Sequence, residues 1–298
     1  MSDQAHDLRR LVLHAVVPSP APRPGIVAVM GGRGGVGTTT VALQLAVAAA
    51  RDGLRTLLID ADPRGGSMAV LCGLEVEVSL ADVLAARQTI REALCGGPGA
   101  TRLVPGVRPA DALWDASPAD ADRLLGQLDD LGEEIDLVVL DPGNSLCRWT
   151  QPLLHAADLL VTISTPATAA VVGAYELLRA ISPPPSLGSA AVLVNMAPSA
   201  RVAQDIQRRL ARTCRRMLGL DVASAGHLPI LRSPGPASRA AVRPLRPLVA
   251  MAGAMVDGKR RTANTNHRSF SVSQPLCESC FTTEFGENHS TSSPPRPI

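Results

Sequence analysis

The sequence predicts an α/β fold: a mostly parallel, twisted sheet covered by helices on both faces. Three observations predict it. Short apolar runs rich in Val, Ile and Leu alternate along the chain with longer segments of helical periodicity. The runs are apolar at successive positions, as strands buried on both faces must be. Two of them end in aspartate, and a third runs into a glycine-rich loop. Right-handed crossovers then bring those three loops to one edge, where open α/β sheets bind ligands.

Composition sets the frame. The 298 residues are 46% hydrophobic but only 2% aromatic, so the core must be Leu, Val, Ile and Ala. The length accommodates one large α/β domain with tails, or two small domains. A net charge of +2 gives no bulk electrostatic case for direct nucleic-acid binding. The six cysteines are scattered and no long uninterrupted apolar span is visible, which reads as a cytoplasmic protein with reduced thiols.

Three regions follow in order. Residues 1–24 form a short helix and a linker. Ala5, Leu8, Leu11, Val12 and Ala15 share one face at helical spacing, and PSPAPRPG favours an extended spacer. Such a helix either docks a partner or packs on its own domain. Residues 25–256 are the α/β domain, and residues 257–298, rich in Ser, Thr, Asn and Pro, read as a disordered tail. The tail holds Cys277 and Cys280 with His267 and His289 nearby. One C-x-x-C is half a zinc site, and two plain thiols are the preferred reading.

Within the domain, Ile26–Met30 is the first strand and Gly32–Thr40 reads GRGGVGTTT, followed by an Ala/Val/Leu helix. Backbone N–H groups of a glycine-rich turn can converge on an anion, and the helix that follows adds its positive end. The pattern is that of a P-loop, with Gly32 and Gly37 in place and Thr39 where a hydroxyl would ligate Mg²⁺. The lysine position is occupied by Thr38, and Arg33 is the cation inside the loop. Arg55–Asp60 is the next strand. It ends in DADPRGG, placing Asp60 and Asp62 at a strand tip, where a carboxylate can orient a water or hold Mg²⁺ through one. The alternative is a loop aspartate capping the next segment.

A helix is expected over Ser79–Leu94, a short strand over Thr101–Val104, and a Ser117-capped helix over Pro118–Leu131. Ile135–Leu140 runs into Asp141-Pro142-Gly143, apolar residues then aspartate, with the carboxylate facing the metal held by the loop hydroxyl. Asp158–Ser164, a helix from TPATAAVVGAYELLRAIS, and Ala190–Val194 ending at Asn195 follow. Val202–Leu218 carries Arg208, Arg209, Arg212, Arg215 and Arg216. These could meet phosphate or acidic lipid, though a solvated helix face is the preferred reading. Val222–Ala225 is the last strand, and Pro247–Lys259 is too short and weakly amphipathic for a membrane helix.

The loop, DADPRGG and Asp141-Pro142-Gly143 together resemble the MinD/ParA family of deviant Walker A ATPases, from about Ile26 to Ala250. The N-terminal Ser2-Asp3-Gln4-Ala5 with Leu8-Arg9, the TPATAAVVGAYELLRA segment and RLARTCRRMLGLDVASAGHLP are similar to its flagellar-number regulator branch (FlhG/YlxH). The resemblance implies an ATP- and Mg²⁺-dependent homodimer, peripheral contact with the inner membrane, and a signal-recognition-type flagellar GTPase as partner. It favours docking for the first helix, with Gln4, Leu8 and Arg9 as contact residues. It also implies roles. Arg33 reaches the phosphates across the dimer, and Gly32, Gly34, Gly35, Val36, Gly37, Thr38, Thr39 and Thr40 cradle the nucleotide. Thr39 and Asp141 hold Mg²⁺, the latter through water. Asp62 positions the attacking water with Asp60 beside it, and Asn195 contacts adenine.

Two departures bear on catalysis: threonine replaces the loop lysine and arginine the signature lysine. Losing one charge-assisted phosphate contact costs about 2–3 kcal/mol. The expected activity is therefore weak ATP hydrolysis. The competing readings are a non-hydrolysing adaptor of the same fold and a chromosome-partitioning or pilus-localising relative.

Overall fold

The computed structural model describes residues 23–106, 115–181, 189–230 and 242–269, with side chains to residue 261. The docking helix with Gln4, Leu8 and Arg9, and the C-x-x-C of the tail, lie outside the described residues.

Eight strands form one sheet in the order β3-β4-β2-β5-β1-β6-β7-β8. They are β1 (Gly25–Gly31), β2 (Thr56–Asp60), β3 (Cys95–Gly96), β4 (Arg102–Val104), β5 (Leu137–Asp141), β6 (Leu159–Ser164), β7 (Ser189–Ala197) and β8 (Val222–Pro229). Every pairing is parallel except the edge pair β3–β4. β1 lies at the centre between β5 and β6, and all its residues are buried. Its alternate side chains feed two cores. Ile26, Ala28 and Met30 face a core completed by α4 (Pro118–Asp129), α5 (Thr150–Ala156), α6 (Thr168–Ile181) and α7 (Ala200–Leu218). Val27 and Val29 face α1 (Thr38–Arg51) and α8 (Arg246–Ser269). Helices on both faces and a parallel sheet are what the alternating pattern predicts.

Three elements differ from the sequence reading. The helix expected over Ser79–Leu94 is a single short helix, α3 (Leu80–Leu84), capped by a reciprocal Ser79–Asp82 box. It stops because Ala86 takes a left-handed conformation (φ 54°), after which Arg87 N–H returns to the Asp82 carbonyl at 2.9 Å. A second short helix, α2 (Met68–Cys72), follows the β2 aspartates. The last helix, α8, runs past residue 256 as far as Ser269, and two basic residues anchor the extension. Lys259 Nζ bonds Asp158 (2.7 Å) and the Pro24 carbonyl (3.2 Å), and Arg260 pairs with Asp136. The apolar face of α8, Leu248, Val249, Ala252 and Val256, is buried against β1, β8 and α1. Among the described residues, no helix is long and apolar enough to cross a membrane.

Candidate functional site

The carboxyl ends of β1, β2 and β5 open onto one cleft of about 250 Å³. Its lining includes Arg33, Gly34, Gly37, Thr39, Asp62 and Asn144. β1 delivers the loop, and α1 begins directly after Gly37, its first helical bond running from Val41 N–H to the Gly37 carbonyl (2.9 Å). The helix therefore points its free N–H groups at the cleft. Val36 turns its side chain into the core, 3% exposed, so only its backbone serves the loop. Gly35 has open space around it, whereas a Cβ on Gly32 would overlap the backbone of Gly173 in α6. This glycine-on-glycine contact fixes the base of the loop against α6. Gly173 escapes a motif search, but a glycine inside a helical pattern with no cap to serve signals close packing.

Aspartates from two strands converge here. In the sheet register Asp60 lies beside Asp141, and Asp62 follows just beyond the end of β2. Gly143 lies between Asp141 and Asp62. It adopts φ 70°, donates its N–H to Asp141 Oδ1 (3.1 Å), and any Cβ there would strike the Asp62 carboxylate. Only glycine lets the two carboxylates approach from separate strands.

Asp141 is fully buried, and its Oδ2 has no hydrogen-bond partner among the described residues. Burial pushes its pKa up to about 7. The Asp60 charge adds to the rise, while the Thr39 hydroxyl and the Gly143 N–H oppose it. A buried, unsatisfied carboxylate oxygen beside a threonine hydroxyl fits a hard divalent cation with oxygen ligands. Thr39 and Asp141 are thus suited to hold Mg²⁺, and the glycine loop to hold the phosphates.

Two of the expected site residues are bonded within the protein itself. Asp60, expected beside the attacking water, is 1% exposed and outside the cleft lining. Its carboxylate accepts Met68 N–H (3.0 Å) and Asp62 N–H (3.4 Å), so it orders the segment after β2 instead. Burial raises its pKa to about 6 against the pull of those two N–H groups. Asn195, expected on adenine, donates from Nδ2 to the Val36 carbonyl (2.8 Å) and accepts Met196 N–H at Oδ1 (2.9 Å). It thereby clamps the loop backbone to the end of β7. Arg64, Ser67 and Asn144 also line the cleft; Arg64 lies within DADPRGG but the motif assigns it no role, and no motif covers Ser67 or Asn144.

A strand, an anion-cradling loop, a helix N-terminus and carboxylates from two further strand tips define a P-loop nucleotide site. The AAA domain family (AAA_31) matches residues 25–183, and the chain belongs to it. Within that family it groups with the MinD/ParA-type P-loop proteins, near the flagellar regulator branch. The antiactivator FleN of Pseudomonas aeruginosa is 29% identical over 204 residues, covering 68% of this chain and 73% of that protein. The flagellum site-determining protein YlxH of Helicobacter pylori is 26% identical over 51% of this chain, which spans 52% of that protein. The septum site-determining protein MinD of Pyrococcus horikoshii, complexed with Mg-ADP, superposes with a TM-score of 0.61 at 18% identity, covering 79% of this chain and 98% of that one. That last likeness establishes the shared fold.

Proposed function

We propose that this chain binds ATP with Mg²⁺ and regulates the placement or number of flagella as a MinD-type, nucleotide-dependent homodimer. Its partner on this reading is a signal-recognition-type GTPase engaged by the N-terminal segment. The observation that carries the nucleotide half is the buried Asp141 carboxylate, which the Thr39 hydroxyl approaches and whose Oδ2 has no hydrogen-bond partner among the described residues. The similarity to YlxH supports the flagellar half.

When bound, Mg²⁺ would supply charge neutralisation at the phosphate oxygens. The chain's own residues do the rest. Thr39 offers a hydroxyl ligand and Asp141 an ionised carboxylate acting through water. Backbone N–H groups of Gly34 to Thr40 would hold the phosphates. Asp62, partly exposed at the rim, can orient a water and accept its proton. Asp60 and Asn195 hold the two walls in register from behind. With Thr38 in the lysine position, hydrolysis is slow on this reading. That same residue favours a second reading, a nucleotide-sensing adaptor that does not turn over. Any peripheral membrane contact would use a surface other than the apolar face of α8, which the domain consumes.

Calorimetric titration with ATP and Mg²⁺ tests the site. Saturable binding that Asp141→Asn abolishes is expected, and its absence in the wild-type chain removes the nucleotide reading. Addition to the purified flagellar GTPase, with and without residues 1–17, tests the partner. An unchanged GTPase rate on deletion removes it. Phosphate release in the same titration separates slow hydrolysis from none.

A further inference from the structure

A nucleoside triphosphate brings several negative charges to a loop that offers no lysine at residue 38. Thr38 is uncharged and 8% exposed. Two exposed arginines border the cleft, Arg33 and Arg64, and they are held very differently. No hydrogen bond or ion pair fixes the Arg33 side chain among the described residues. Arg64 is placed by the segment after β2. Asp60 ties the base of that segment at both sides through Asp62 N–H and Met68 N–H. Gly66 packs so closely on Asp60 and Gly106 that a Cβ would come within 2.7 Å of Asp60 Oδ2 and 2.9 Å of Gly106 Cα. At the top of the arc, Arg64 N–H donates to Asp62 Oδ1 (2.9 Å) and Arg64 Nε lies 3.5 Å from the same oxygen.

That second contact is at the limit of a hydrogen bond, with the Arg64 side chain 47% exposed and Asp62 16%. It orients the guanidinium over the cleft without consuming it, since both Nη groups remain without partners among the described residues. Guanidinium suits phosphate because its planar donors can engage two oxygens at once. An arginine already held near its working position also loses less rotamer freedom on binding than a free one.

We propose that Arg64 supplies the cation that residue 38 lacks, contacting the terminal phosphates of a bound nucleoside triphosphate from the segment after β2. In doing so it trades its weak contact with Asp62 for phosphate. The Asp62 carboxylate, still held at Oδ1 by the Arg64 backbone N–H, then loses its guanidinium neighbour and faces the reacting water unpaired only when a triphosphate is present. This rests on the nucleotide reading above. It differs from it in naming which cation completes the site and in coupling that cation to Asp62.

The test is binding of Mg²⁺ with a non-hydrolysable ATP analogue, and separately with ADP, to the full chain. Wild type, Arg64→Gln, Arg64→Lys, Arg33→Gln and the double variant Arg64→Gln/Thr38→Lys are compared. Arg64→Gln is expected to weaken the triphosphate by about tenfold or more. ADP should change by less than about threefold, because the lost contact is to the terminal phosphates. Arg64→Lys should fall between, and Thr38→Lys should restore the triphosphate affinity of Arg64→Gln. Triphosphate affinity unchanged in Arg64→Gln overturns the proposal and leaves the nucleotide site standing. Equal losses for ADP and triphosphate without rescue by Thr38→Lys also overturn it. No saturable binding by the wild-type chain overturns both.

Discussion

Asp136 and Asp141 stand at the two ends of β5, and both carboxylates are nearly inaccessible to water. At the start of the strand, Asp136 accepts the Arg55 backbone N–H (2.9 Å) and side chain (2.6 Å) and pairs with Arg260. Burial is the largest influence on it and pushes its pKa up, yet these partners together pull it below the ordinary value of 3.8. At the end of the strand, Asp141 keeps one oxygen unsatisfied and is raised to about 7. The contrast extends along each edge. Around Asp136, Glu134 pairs with Arg91 and Arg102, and Asp158 with Lys259 and the Ile26 N–H. Around Asp141, the neighbouring carboxylates are Asp60 and Asp62, like charges that raise it further. One edge uses its carboxylates to hold the fold; the other keeps a repulsive set that a cation would relieve.

Removing the satisfied carboxylate should have the largest effect. Asp136→Ala leaves Arg55 and Arg260 without their partner and frees a strand-entry N–H. Both arginines are about half exposed, so water screens part of the loss. A destabilisation of about 2–3 kcal/mol is expected in urea unfolding, with the slope unchanged.

Asp141→Asn should act in the opposite direction. It removes a buried charge that the Thr39 hydroxyl and the Gly143 N–H only partly compensate, so stability at pH 8 should rise by about 1–2 kcal/mol. Nucleotide binding with Mg²⁺ should be lost in the same variant. A destabilised Asp141→Asn would show that the carboxylate is already satisfied, and the contrast between the two edges would fail.

Titration separates the edges next. Asp141 and Asp60 have folded pKa values of about 7 and about 6, both above the ordinary 3.8. Between the ordinary and the folded values the folded state binds more protons than the unfolded one, so stability falls as pH rises from about 4 to about 7. Asp136 works the other way. Its lowered pKa gives stability that is present above the ordinary value and lost as pH falls below it. Ligand-free wild type should therefore be most stable near pH 4 in thermal melts. Asp141→Asn should flatten the alkaline side of that profile, and Asp136→Asn the acid side.

What is legible in the sequence follows the range of the interaction responsible. The strand tips are legible because an apolar run ending in aspartate is a local pattern, and so is the Ser117 cap with its short-range donor. The convergence of Asp62, Asp141 and Thr39 is legible through topology, since parallel strands share one carboxyl edge. The clamp of Asn195 on Val36 spans 159 positions, and no local pattern announces it. The same holds for Gly173 against Gly32 and for Asp60 turning inward onto Met68 N–H. The C-terminal helix outruns its sequence pattern for a related reason. Its polar residues after Val256 read as disorder, but Lys259 and Arg260 find acceptors at the entries to β6 and β5, far away in sequence.

The smallest effect belongs to α7, and it tests whether charge alone makes a surface functional. Among the described residues its exposed arginines carry sparse acidic partners: Asp205 pairs with Arg209 at 2.9 Å, and Asp221 with Arg215. Asp205 and Arg209 have side chains 55% and 74% exposed, so their attraction is screened and offset by the entropy of holding two long side chains. The buried side of the helix is what fixes it, through Ala203, Leu210, Cys214 and Gln207, whose Nε2 reaches the Val192 (3.1 Å) and Gly226 (2.6 Å) carbonyls. Asp205→Ala should leave the urea midpoint unchanged within error, whereas Gln207→Ala, which orphans two carbonyls, should lower it measurably. A clear loss in Asp205→Ala would mean that the arginine face is an organised network, and the paired, stabilising chemistry assigned to the Asp136 edge would extend across the surface of α7.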